Sequence, residues 1–321
     1  MVDPIRVADA MSPEWFAARQ LSLGASEIAA AAGLCPYVSA LELYHRKRGE
    51  IPPIEDNDAM RMGRLLEPVV KAEFIRESGL TLIDPNPPMF RHGKYERITA
   101  TPDGIVDTST LLECKTASWR MKGSWGETDT DDCPVNYLCQ VQQQMAVMNA
   151  SMVHLAVLFD GAQLKLFKVM RNDDLIKLLI AAGLELWERI QDGRPPEPNW
   201  EHSSTPKLIK AIHGSINDAR IELNADEVAL WSEYESINEM NKENKSRQDE
   251  IKARLLHAIG DNFAGILDDG NMLRRKVIEK KPYTVTPEPY VDFRKVKADS
   301  GRIVERQQLV DVLSRIAHPE I

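Results

Sequence analysis

The spacing of apolar residues changes several times along the chain, and each change marks an element. In "AMRMGRLLEPVVKAEFIRESG" the apolar positions recur at helical spacing, with Met62, Leu66, Val69, Val70, Phe74 and Ile75 on one stripe. Pro68 sits within that stripe and brings no backbone donor, so the helix is expected to begin or kink there. Upstream, "SPEWFAARQLSLGASEIAAAAG" predicts a short helix over Trp15–Arg19, a turn through Gly24 and a second helix from near Ser26 to Gly33. "SALELYHRKRG" predicts a helix capped by Ser39, with Glu42 as its capping-box partner, and the polar "EIPPIEDND" follows as a loop.

The period then falls to two. "ERITATPDGIV" and "TLLECKTAS" predict strands separated by a turn over Asp107–Thr110, and "SMVHLAVLFDGAQLKLFKVMR" predicts a hairpin turning at Asp160-Gly161. Between them lie a looser section containing Trp119, Trp125 and Pro134 and a helix, "NYLCQVQQQMAVMNA". A further helix over Asp173–Gln191 runs into "DGRPPEPNW". That proline-rich break, Asp192–Pro198, divides a core over residues 1–195 from an extension over 196–321. In the extension Asn224 and Glu227 open a long helix over about 224–259. Its seam, from Leu230 and Ile237 to Ile251 and Leu255, keeps four-three spacing around a polar middle at Asn241, Asn244 and Gln248. This pattern predicts either a helix packed at both ends or a paired helical hairpin. Small strands are expected over Met272–Val296, and no internal repeat is evident.

Composition adds bounds. With 321 residues, 43% hydrophobic and 28% charged, the chain reads as a soluble globular protein. It shows no signal-like N-terminus and no uninterrupted apolar run of membrane-spanning length, which predicts a cytoplasmic protein without a membrane partner. The net charge of -9 argues against indiscriminate wrapping of nucleic acid but leaves room for a local basic channel. Residues 274–297 hold eight Lys/Arg against three Asp/Glu, which suits either a DNA path or a solvated hairpin face. Trp119 and Trp125 either stack on an unpaired base or pack in the core. Cys35, Cys114, Cys133 and Cys139 follow no zinc or iron-sulfur spacing and read as reduced, mostly core cysteines.

The candidate chemistry lies in "ATPDGIVDTSTLLECKTAS". Residues two apart on a strand share a face, so Glu113 and Lys115 point together, and Cys114 points away from them. Pairing through the Asp107–Thr110 turn brings Asp103 level with the Glu113 region. Two hard carboxylates suit Mg²⁺ or Mn²⁺, and a lysine beside them can orient or help deprotonate a water and offset developing charge on a phosphate. The plainer alternative is a turn aspartate and a solvated Glu113–Lys115 ion pair on an edge strand.

The phrases "GASEIAAAAG", "MGRLLEPVV", "TPDGIV", "LLECKTAS" and "YLCQVQQQMAV", in that order, resemble the YqaJ-type viral recombinase family of the PD-(D/E)xK nuclease superfamily, to which bacteriophage lambda exonuclease is related. The resemblance covers about the first 190 residues. It implies an α/β (α+β) restriction-endonuclease-like core, a central mixed sheet flanked by helices, with a helical and small-strand C-terminal extension. It further implies Asp103, Glu113 and Glu67 as metal-binding carboxylates, Lys115 and Gln140 as catalytic residues, and Arg19 and Ser26 as holders of a substrate 5′-phosphate. Arg19 can fork onto phosphate oxygens, and Ser26 would add a hydroxyl and free N–H groups at a helix start. The implied activity is Mg²⁺-dependent 5′-to-3′ exonuclease action on linear double-stranded DNA, leaving 3′ overhangs for a single-strand annealing recombinase. A homo-oligomer, including a trimeric ring, is also implied. An endonuclease of the same fold, or a noncatalytic DNA-binding protein on a nuclease scaffold, are the rival readings.

Overall fold

The computed structural model describes residues 3–214, 220–279 and 295, and the chain divides into two units, 1–214 and 215–321. The first unit opens with β1 (Ile5–Ala8), α1 (Pro13–Gln20), β2 (Leu23–Gly24), a 3₁₀ turn over Ala25–Glu27 and α2 (Ile28–Ala31). Then come α3 (Ala40–Lys47), α4 (Asp58–Ser78), β3 (Met89–Arg91), β4 (Ile98–Ala100), β5 (Gly104–Asp107) and β6 (Thr110–Ala117). A 3₁₀ segment over Trp119–Ser124, α5 (Val135–Met148), β7 (Met152–Phe159), β8 (Gln163–Met170), α6 (Asp173–Asp192) and α7 (Thr205–Ile212) complete it. The class is mixed α/β, with two mixed four-stranded sheets, ordered β1-β3-β4-β2 and β5-β6-β7-β8, flanked by helices.

The expected mixed α/β class is present with its mixed strands divided between two sheets, and Pro102 is where they part. The stretch "ERITATPDGIV" was expected as a single strand, yet its first half is β4 in one sheet and its second half is β5 in the other. Proline gives no N–H to a ladder, and the chain crosses from one sheet to the other over Thr101–Asp103. In the second sheet β5 and β7 flank β6, antiparallel and parallel respectively, so β6 is an inner strand. Its even positions Leu112 and Cys114 pack with Val70 and Phe74 of α4. On the opposite face Leu111 packs with Val141 and Met145 of α5. Complete burial of Val70 and Phe74 stabilises this packing by about 1.5–3 kcal/mol each.

Helix ends follow local chemistry. Ser12 caps α1, Ser39 caps α3 and Asn57 caps α4, each accepting an N–H from three residues on. Glu42, expected to close the capping box of α3, bonds Arg46 instead. Helix α4 runs unbroken through Pro68 and begins at Asp58, ten residues before it, because the cap at Asn57 and burial of Val70 and Phe74 outweigh one missing bond. The stripe is narrower than the sequence suggests, since Met62, Val69 and Ile75 are exposed. The helix expected from Ser26 to Gly33 is a three-residue 3₁₀ turn followed by the four-residue α2. The hairpin β7–β8 turns at Asp160 and Gly161 with φ of +46° and +71°, the left-handed pair that a tight hairpin needs. Gly183 of α6 lets that helix approach α2 and β4 closely; a Cβ there would stand 2.8 Å from Ile28 Cδ1.

The first unit continues past the proline-rich break, because His202 bonds the Cys35 carbonyl at 2.9 Å and Leu208 of α7 is buried. In the second unit α8 (Ala225–Ile259) is one unbroken helix of 35 residues, closed at its start by reciprocal bonds between Asn224 and Glu227. Glu227 and Trp231 near its start and Ile259 at its end are half-buried, and β9 (Ala264–Ile266) pairs with β10 (Met272–Arg274) after it. The remaining expected small strands, and the basic residues Lys280, Lys281, Arg294 and Lys297, lie outside the described residues. Among the described residues no helix is long and apolar enough to cross a membrane.

Candidate active site

A cleft of about 1000 Å³ in the first unit is lined by Arg19, Ser26, Glu67, Asp103, Glu113, Lys115 and Gln140, all seven residues singled out from the sequence. They arrive on five segments: α1, the 3₁₀ turn after β2, α4, the β4–β5 crossing with β6, and α5.

Glu113 is the centre of the polar network. It is 2% exposed, which removes the solvated edge-strand reading, and it accepts from three donors, one of them a cation. Lys115 Nζ and Gln140 Nε2 both donate to its Oε1 at 2.5 Å, and Gln144 Nε2 donates to Oε2 at 2.6 Å. Asp103 lies alongside: its N–H donates to the Leu112 carbonyl at 3.1 Å, and its Oδ2 accepts the Cys114 N–H at 2.7 Å. Burial, and then repulsion from Glu113, push the Asp103 carboxyl well above the usual carboxylate range, against the opposing pull of Lys115. Burial would lower the Lys115 amine, but Glu113 and Asp103 outweigh it and raise that amine, so Lys115 is an ammonium at neutral pH. Its charge also lies over the Tyr137 ring, 5.3 Å from the centroid.

The four glutamines of α5 divide their work between the sheets. Gln140 and Gln144 hold Glu113 in the second sheet, and Gln143 donates to the Leu23 and Thr99 carbonyls in the first, at 2.9 and 2.8 Å. Gln142 fixes the end of β8 through the Met170 carbonyl at 2.8 Å. Only Gln140 was assigned a role from the sequence, although i to i+4 spacing already set Gln144 on the same face.

Arg19 and Ser26 meet as expected, with Arg19 Nη2 3.4 Å from Ser26 Oγ. Trp15 carries the guanidinium on its ring at 4.7 Å, and Glu27 stands 3.7 Å from it. Glu27 also takes the Gly24 N–H at 2.9 Å and Lys47 Nζ at 2.8 Å. Sequence reasoning missed Glu27 and Lys47; the signal for the first was a glutamate three residues after Gly24, the capping-box spacing. The short turn around Ser26 carries no sizeable helix dipole, so the positive charge at this corner of the cleft comes from side chains, Arg19 and Lys47, both beside Glu27. Glu67 also faces the cleft but is paired with Lys71 at 2.6 Å, and Lys71 is anchored to the Pro85 carbonyl at 2.8 Å. Trp125 is core, stacked on Tyr137 at 5.4 Å, whereas Trp119 remains 42% exposed.

Among the described residues no three His, Cys, Asp or Glu side chains stand together as a ready metal cage. The donors on offer are hard carboxylates carrying more negative charge than one lysine balances, which fits a hard divalent ion in preference to a thiolate or imidazole metal.

Residues 14–151 match the YqaJ-like viral recombinase domain. The chain is 26% identical over 298 residues to the uncharacterized protein YqaJ of Bacillus subtilis (strain 168), covering 91% of this chain and 89% of that protein. Similar solved structures include an alkaline exonuclease from Laribacter hongkongensis, 23% identical, covering 57% of this chain and 94% of that one, with a TM-score of 0.48. A phage related exonuclease from Haemophilus somnus 129PT is 14% identical, covering 54% and 96%, with a TM-score of 0.42. The segment from α1 to the end of α5, which supplies every residue of the cleft named above, is the part of the chain that matches the YqaJ-like viral recombinase domain.

Proposed function

We propose that the cleft hydrolyses phosphodiester bonds at the 5′ ends of linear double-stranded DNA, as a Mg²⁺-dependent 5′-to-3′ exonuclease that leaves 3′ single-stranded overhangs. The observation that carries this reading is the lining of one cleft by two chemistries. One is the carboxylate–lysine group of Asp103, Glu113 and Lys115; the other is the Arg19–Ser26 pair. The match of residues 14–151 to a viral recombinase domain supports a DNA substrate.

In this reading Asp103 and Glu113, with Glu67 nearby, hold Mg²⁺, for which Mn²⁺ substitutes. Bound there, the ion supplies Lewis-acid polarisation of the scissile phosphate. The Lys115 ammonium donates to an equatorial phosphate oxygen, offsetting charge that grows in the transition state. Gln140, already fixed on Glu113, orients the attacking water through its remaining amide hydrogen or carbonyl. Arg19 forks onto the terminal phosphate, and Ser26 donates its hydroxyl to the same group. Residues after about 200 add affinity for the duplex through basic side chains such as Arg274, Arg275 and Lys276. A cytoplasmic site of action, self-assembly and an annealing recombinase as partner belong to the same proposal.

The test is a comparison of 5′-phosphorylated linear duplex with closed circular DNA of the same sequence. Mg²⁺-dependent release of nucleotides from 5′ ends alone is expected. Equal attack on the circle would make the protein an endonuclease, and no cleavage of either DNA would make it a binding protein.

A further inference from the structure

Beside the Arg19–Ser26 pair stands a second cation that a ligand in the cleft does not reach. The Lys47 side chain is 4% exposed, against 32% for that of Arg19. Three bonds fix its place. Lys47 Nζ donates to Glu27 Oε2 at 2.8 Å and to the Arg19 carbonyl at 2.6 Å, and Gln20 Nε2 donates to the Lys47 carbonyl at 2.8 Å. The end of α3 is thereby tied to the end of α1. Burial lowers the Lys47 amine while Glu27 raises it, so this ammonium depends on the carboxylate it serves.

The two oxygens of Glu27 are shared unequally. Oε2 takes Lys47 and the Gly24 N–H at 2.9 Å, whereas Oε1 stands 3.7 Å from Arg19 Nη2, beyond hydrogen-bond length. The guanidinium therefore rests on the Trp15 ring, with Nη2 3.4 Å from Ser26 Oγ, and is not locked to the carboxylate. Two cations against one carboxylate leave this corner with one net positive charge. Without Lys47 that charge falls to zero, and Glu27 is left with Arg19 as the cation beside it. The fork then closes on Glu27 in place of a phosphate. We propose that Lys47 is a positioning residue for 5′-end recognition: by engaging Glu27 it keeps the Arg19 guanidinium available to a terminal phosphate that Lys47 itself does not touch. This rests on the reading of Arg19 and Ser26 as holders of that phosphate.

The test uses the full chain and two duplexes that differ only in a 5′-phosphate or a 5′-hydroxyl end. Initial rates with Mg²⁺ give kcat and KM, and anisotropy of the same duplexes on metal-free protein gives affinity. Lys47→Met removes the charge and keeps the length of the side chain. It should lower the preference for the phosphorylated end about tenfold in both measurements, through KM more than kcat. Adding Glu27→Gln should restore most of the preference, because the amide carbonyl still accepts the Gly24 N–H but no longer draws Arg19. Glu27→Gln alone should keep or raise the preference, whereas a merely structural ion pair would lose it equally from either side. That single variant decides the matter even where Lys47→Met fails to fold. A preference left intact by Lys47→Met, unrecovered in the double variant or lowered by Glu27→Gln would overturn the role of Lys47 alone. A wild type indifferent to the 5′-phosphate would remove the phosphate pocket itself, and this role with it.

Discussion

Asp103 holds the main chain on both sides of Glu113, accepting the Cys114 N–H at 2.7 Å and donating to the Leu112 carbonyl at 3.1 Å. The two carboxylates are therefore set side by side by backbone bonds, not by attraction, and their repulsion is built into the fold. Asp103→Asn keeps the shape and removes the charge. Cleavage should fall by ~10³-fold or more, since a metal site supplies several kcal/mol of transition-state stabilisation. The folded protein should lose no stability. Wild-type turnover in this variant at saturating Mg²⁺ would sink the assignment.

The same repulsion has a pH signature. A carboxyl whose folded pKa is raised favours the folded state at low pH, and that contribution is lost as pH rises from the ordinary aspartate value through the raised one. In metal-free protein, melting temperature should therefore decline as pH rises above the ordinary aspartate value, less so in Asp103→Asn. Mg²⁺ binding competes with the proton and should strengthen over the same window. Calorimetric titration at a series of pH values reads both, and affinity that does not change with pH would contradict the shared site.

Lys115 is charged at neutral pH and should act as a donor. Lys115→Gln, which keeps a hydrogen bond to Glu113, should lower kcat by ~10²-fold and leave KM for DNA little changed, because the lost contact is made mainly in the transition state. A raised KM at unchanged kcat would assign Lys115 to ground-state DNA binding instead.

Gln144 is completely buried against Glu113. Gln144→Glu puts a second carboxylate beside the first with no new cation, and should cost roughly 3 kcal/mol in denaturant unfolding. The loss should shrink as pH falls and the new carboxyl takes up a proton. A variant as stable as wild type at neutral pH would show that Glu113 is less enclosed than its three donors imply.

Arg19 sits on Trp15 and beside Ser26, poised for a terminal phosphate. Arg19→Ala should reduce the preference for 5′-phosphorylated over 5′-hydroxyl duplex by about tenfold or more, corresponding to ~1.5–3 kcal/mol for a charged hydrogen bond. Initial rates on two otherwise identical duplexes decide it. Equal wild-type rates on both would remove the phosphate pocket.

The sequence by itself determined what depends on neighbours a few residues away. The caps at Ser39 and Asn224, the left-handed turn at Asp160-Gly161 and the opposite facing of Cys114 to Glu113 all follow from i to i+2 or i+3 chemistry. The residues that line the cleft were legible too, through motifs in a recognisable order. What only the tertiary structure decided is membership and partnership. Alternation in "ERITATPDGIV" reports a strand but not which sheet it joins, so the break at Pro102 that hands the chain from one sheet to the other beside Asp103 was invisible. Four glutamines within five positions look alike as letters. Their tasks separate only when α5 lies between two sheets, because a buried carboxylate and buried strand carbonyls each demand a donor from whichever side chain faces them.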